Sequence, residues 1–155
     1  MNLTLIEPAI AEGPYRWLIE LDGPRVGVHV ESGWCVRMGD LELKLDAEET
    51  LVPLGPLLDL PVAMFTAFLN RAAAAHPAHA GAIRAFPRQA LLKHVFHTSF
   101  SSYWPERALL WMADDPASWP DFADELKRFA ENKAMPQGAR QQAARMSRSA
   151  ASTGT

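Results

Sequence analysis

Residues 15–45 read YRWLIELDGPRVGVHVESGWCVRMGDLELKL, and their apolar side chains recur at every second position. The series runs Tyr15, Trp17, Ile19 and Leu21, then Val26, Val28 and Val30, then Trp34, Val36 and Met38, then Leu41, Leu43 and Leu45. Between them stand mostly Arg16, Glu20, Arg25, His29, Arg37, Glu42 and Lys44. A strand turns successive side chains to opposite faces, so this alternation predicts strands with one buried and one solvated face. Asp22-Gly23-Pro24, Glu31-Ser32-Gly33 and Gly39-Asp40 separate the runs, and their glycines suit the positive φ of tight hairpins. The expectation is an antiparallel β-meander of four to five short strands, with Leu3 to Ile6 as the additional one, ended by Glu7-Pro8.

Beyond the proline-punctuated stretch from Leu51 to Leu60 the period becomes helical. Pro61 suits a first helical turn, followed by the stripe Val62, Phe65, Leu69 and Ala72. A second helix is expected over about Arg88 to Phe100, with Leu91, Leu92, Val95, Phe96 and Phe100 on its apolar side. Trp104-Pro105-Glu106-Arg107-Ala108 is echoed by Trp119-Pro120-Asp121-Phe122-Ala123, each with a serine upstream (Ser102, Ser118) placed to cap a helix. A helix from Trp119 to Lys133 would bury Trp119, Phe122, Leu126 and Phe129 and turn Asp121, Asp124, Glu125 and Arg128 to water. A last helix after Pro136 has the narrow stripe Ala139, Ala143 and Met146. The fold class is therefore α+β, a meander over 1–50 and a bundle of about five helices over 61–148, in one domain over 1–148. Residues 149–155 are expected to form a loose tail, because Ser, Ala, Thr and Gly bury too little to order themselves.

Composition bounds the function. The 155 residues are 48% hydrophobic and 21% charged, an ordinary globular mix. A single cysteine, Cys35, closes no internal disulfide and suits a reducing compartment. No basic segment precedes the short apolar start, and prolines interrupt the richest apolar region, Leu51 to Leu69. A cytoplasmic protein that does not enter a membrane is expected. The net charge of −3 conceals an asymmetry, since residues 1–70 hold eleven acids and four bases while residues 71–155 hold seven acids and eleven bases. Arg140, Arg145 and Arg148 spread widely around their helix without an aromatic side chain to stack a base, so nucleic acid is not expected as partner.

Few residues suggest chemistry. His94 and His97 would share a helix face, where a carboxylate such as Glu106 or Asp114 would complete a metal site. Metal sites need three or four converging ligands, and the helical wheel sets both imidazoles opposite Leu92 and Val95, so solvent-facing histidines are expected, with no metal and no cofactor. Pro77 breaks the geometry of the other pair, His76 and His79. Cys35 lies in a strand and reads as a structural thiol, and no nucleophile elbow surrounds Ser99, Ser101 or Ser102.

The aromatic surplus carries the functional reading. Helix 103–113 is apolar in nearly every direction through Trp104, Ala108, Leu109, Leu110, Trp111 and Met112, so it is either central or an interface. Aromatic side chains dominate both cores and binding hot spots. The expectation is a non-catalytic protein-binding module. Its site would comprise Phe100, Tyr103, Trp104, Glu106, Trp111, Asp114 and Asp115, and its partner would be a basic protein, in one concrete form a toxin or effector neutralised by an immunity or antitoxin-like protein. A third possibility is a homo-oligomer that uses the same patch. The alternative is a small hydrolase or metal-dependent enzyme built on His94 and His97.

Overall fold

Strand pairing begins earlier than the alternation announces. The computed structural model describes residues 3–99 and 101–153, and in it the first strand, β1, runs through the proline over Thr4–Glu12. A strand interior rejects proline because a ladder donor is lost, but β1 pairs with one neighbour alone, and Pro8 falls where its register shifts between Leu5 and Ile10. Strands β2 (Tyr15–Glu20), β3 (Arg25–His29), β4 (Gly33–Met38) and β5 (Leu41–Lys44) follow. All pair antiparallel in the order β1-β2-β3-β4-β5, the meander read from the sequence. Gly23, Gly33 and Gly39 take φ of +98°, +83° and +61° at its turns, values that penalise a side chain.

One feature of the alternation is not kept. Trp17 pairs with Gly27 while Ile19 pairs with Val26, so β2 has one extra residue, Leu18, between them. This bulge sends Trp17 to one face and Ile19 to the other, and Trp17, Leu18 and Ile19 are all buried in succession. On one face Ile19, Val26, Val28, Trp34 and Val36 are buried. The opposite face has Tyr15, Trp17, Gly27, His29, Cys35, Arg37 and Glu42.

Helices α1 (Glu48–Leu51), α2 (Val62–Ala75) and α3 (Ala80–Arg84) follow the sheet, with 3₁₀ segments over Val52–Asp59 and Pro77–His79. The stretch Glu49–Asp59, which joins α1 to the first 3₁₀ segment, meets α2 at a bend of 112°, and Leu54, Leu57, Leu58, Phe65 and Phe68 are buried along them. Phe68, rather than the expected Leu69, completes the α2 stripe with Phe65 and Ala72. Phe86 packs edge-on against both Trp34 and Phe65, and the Trp34 indole donates to the Ala82 carbonyl at 2.8 Å, which ties β4 to α3. The chain divides by its internal contacts into Met1–Arg88 and Gln89–Thr155. The first three helices thus belong with the sheet, and the change of period near residue 50 is not the division.

The second unit comprises most of α4 (Arg88–Thr98), then α5 (Tyr103–Ala113), a 3₁₀ segment over Pro116–Phe122, α6 (Ala123–Glu131) and α7 (Gln137–Thr153). The two tryptophan-proline echoes fold differently. Ser102 stands at the N-cap of α5 without a side-chain cap bond, whereas Ser118 donates to the Asp115 carbonyl at 2.8 Å inside the 3₁₀ segment, and α6 starts only at Ala123. Along α7, Ala139, Ala143, Met146 and Ala150 are buried at helical spacing. The tail expected from residue 149 is accordingly helical to Thr153, because Ala150 extends that stripe by a turn. Among the described residues no single helix is long and apolar enough to cross a membrane.

Candidate functional site

Helix α5 is amphipathic despite its composition. Pro105, Ala108, Leu109, Trp111 and Met112 are buried, while Tyr103 and Leu110 are 50% and 54% exposed. Tyr103, Arg107, Leu110 and Asp114 recur at spacings of four, three and four residues, which winds them into one outward stripe. The Arg107 guanidinium stands 5.9 Å from the Tyr103 ring, and Trp104 meets that ring edge-on at 4.8 Å. Of the expected binding residues, Tyr103 and Asp114 are exposed, and Trp104, Glu106 and Asp115 are half-buried. Trp111 is a correction. At 2% exposure it is a core side chain and offers no surface to a partner. Phe100 lies outside the described residues. Leu110, 54% exposed, is a surface residue that the all-round apolar composition of the helix does not single out, and the helical wheel with Tyr103 is the signal that identifies it.

The histidines separate. His94 is 8% exposed and its Nδ1 has no hydrogen-bond partner among the described residues, against the expectation of a solvated ring, because the apolar side of α4 extends beyond Leu91, Leu92 and Val95 to include it. His97 is 41% exposed and lines a cavity of about 270 Å³ with Phe96, Ser99, Pro105, Glu125, Arg128, Phe129, Asn132 and Met135. Glu125 is a further correction. Placed on the wet side by its charge, it is 7% exposed, since it lies three residues after Phe122 and four before Phe129 and so falls within the apolar stripe of α6. Its carboxylate faces Lys93 Nζ at 3.8 Å and His97 Nε2 at 3.9 Å, both beyond hydrogen-bond reach. No hydrogen bond joins the Ser99 hydroxyl to His97 among the described residues.

The other histidine pair serves the first unit's packing. Arg16 Nε donates to His76 Nδ1 at 3.3 Å, and His79 Nε2 stands 2.9 Å from the Pro14 carbonyl, linking the β1–β2 turn to the segment after α2. Burial, with Arg16 and His79 adding to it, holds His76 below the usual imidazole range. On the outward face of the sheet, Tyr15 stacks on Trp17 at 5.0 Å and meets His29 edge-on, and the Arg37 guanidinium lies 4.4 Å from the Trp17 ring. Arg37 is held by Glu42 and by Glu12 at 2.8 Å, and the Tyr15 hydroxyl donates to Glu42. These bonds lower the Glu42 carboxyl below its ordinary value and raise the Tyr15 phenol above its own. Burial, followed by the charge of Glu42, pushes the Cys35 thiol up to about 11, which leaves it protonated and unreactive near neutrality. Among the described residues no group of three His, Cys, Asp or Glu side chains is placed to hold a metal ion.

No protein-family model, curated protein or solved structure matches the chain. The fold and surface define an α+β protein with an outward apolar helix stripe and a separate cavity around a buried carboxylate.

Proposed function

We propose that the chain is a protein-binding module whose contact surface is the outward face of α5 and whose partner is a basic protein. The observation that supports this reading is the half exposure of Tyr103 and Leu110 on one stripe, bordered by Glu106, Asp114 and Asp115. A large aromatic and a leucine left in water beside carboxylates suit a hot spot with an acidic rim, and that rim would steer a basic partner. A cytoplasmic neutraliser of a toxin or effector remains the concrete form. Capture from a native lysate tests it. The reading expects one stoichiometric basic protein, released as salt rises, and lost in Leu110→Asp at unchanged melting temperature. A second copy of this chain as the only bound species, or capture indifferent to Leu110→Asp, would refute it.

A second reading, a small hydrolase, draws on a specific observation: His97, Ser99 and Glu125 line one cavity. His94 is absent from that lining, so the enzyme would rest on one histidine, with Glu125 as its orienting acid. Turnover of an activated ester that disappears in both His97→Ala and Ser99→Ala would favour it over the binding module.

A further inference from the structure

We propose that the cavity between the C-terminal ends of α4 and α6 is a binding site for a small organic ammonium ion with an apolar body. This goes beyond the proposed protein contact and does not depend on it. The cavity, about 270 Å³, accommodates on the order of nine water volumes or a ligand of comparable size. Its polar anchor is Glu125, a side chain 93% withdrawn from solvent that makes no hydrogen bond among the described residues, with Lys93 Nζ at 3.8 Å and His97 Nε2 at 3.9 Å. Glu125 lines the cavity with its acceptor sites unfilled by hydrogen bonds, the arrangement a donor ligand completes. Lys93 does not complete it. Its ammonium, 3.8 Å from the carboxylate and 5.8 Å from the Phe122 ring centroid, is beyond hydrogen-bond reach and does not line the cavity.

The surroundings select charge and shape. Phe96, His97 and Ser99 come from the last turn of α4 and the residue after it, and Arg128, Phe129 and Asn132 from the end of α6. Helix C-termini carry partial negative charge, so both ends favour a cation there and disfavour an anion. Phe96 and Phe129 meet edge-to-face at 6.1 Å, and with Pro105 and Met135 they form an apolar wall suited to an alkyl or aryl body and to cation–π attraction. Glu125, Arg128, Phe129 and Asn132 follow the spacing of one helix face, so a single element presents anchor and wall together. Of the two charged side chains that α6 contributes to the lining, Arg128 is exposed and Glu125 is buried, so the carboxylate is the less hydrated of the two.

The competing account is that Glu125 is a structural ion-pair partner of Lys93 and His97. Titration of the full chain near pH 7 with phenethylamine, 2-phenylethanol and phenylacetate, followed by NMR shifts of the cavity residues, separates the two. Saturable binding of the amine is expected, about tenfold or more tighter than the alcohol, with the preference falling to within about twofold in Glu125→Gln. Without ligand, Glu125→Gln should melt close to the wild-type temperature, because contacts as long as 3.8 and 3.9 Å to Lys93 and His97 contribute little. The proposal is overturned by equal affinity for amine and alcohol, by tighter binding of phenylacetate, by no binding at millimolar amine, or by amine affinity unchanged in Glu125→Gln. A clear fall in the melting temperature of that variant would equally overturn it in favour of the ion pair.

Discussion

A β-carbon added at Gly27 would lie 2.3 Å from the Arg16 carbonyl oxygen and 2.8 Å from Trp17 Cα, because the bulge at Leu18 brings β2 against β3 there. Both obstacles are backbone and neither can swing aside. Gly27→Ala should therefore destabilise the protein by about 1–3 kcal/mol, the range for an overpacked core, and lower the midpoint of thermal denaturation accordingly. Eight residues on, Cys35 provides a chemical readout of the same sheet. With its thiol raised to about 11, its thiolate near pH 7.5 is roughly 100-fold scarcer than in an unperturbed cysteine. Alkylation by iodoacetamide should be slow by a similar factor in the folded protein and recover in denaturant. Fast modification in the folded state would contradict the burial of Cys35.

Helix α5 sets a contrast within one element. Trp111→Ala removes a buried indole and should cost about 3–5 kcal/mol, while Tyr103→Ala should stay within about 0.5–1 kcal/mol, as for an exposed side chain. Denaturant titration of the two variants checks the orientation of the helix directly. This is also where sequence reading meets its limit. A helix apolar all round announces that something covers it, but the pattern of Trp104, Leu109, Leu110 and Trp111 does not say which faces meet the core and which meet water. Glu125 shows the complementary failure. Its charge argues for the surface and its spacing from Phe122 and Phe129 for the interior, and packing followed the spacing. The period-2 runs of residues 15–45 were legible because alternation and turn glycines agree, except at Leu18, where a bulge leaves no compositional mark.

Across the whole molecule, the pH profile should report the network of Tyr15, Arg37 and Glu42 on the sheet. Glu42 has its pKa lowered by Tyr15 and Arg37, so its contribution is complete above the ordinary carboxylate range and is lost as pH falls through the lowered value. Tyr15 is raised, so its contribution is complete below the ordinary phenol range and lost as pH rises through the raised value. Glu42 is exposed and Tyr15 only half-buried, so the effect is small, and Glu42→Gln should flatten the acid limb of melting temperature against pH without shifting the plateau much. The α+β architecture, the sheet order and the turn glycines were all present in the residue pattern. The cavity was not, since it is assembled from α4, α5 and α6, and no local period encodes which helix ends meet. The central claim is that the outward stripe of α5 binds a basic protein. Its most direct measurement is calorimetric titration of the captured partner into wild-type protein and into Leu110→Asp, at low and at raised salt. The account predicts saturable wild-type binding that weakens with salt and falls by about tenfold or more in the variant. Equal affinity for both proteins, with both folded, would contradict it.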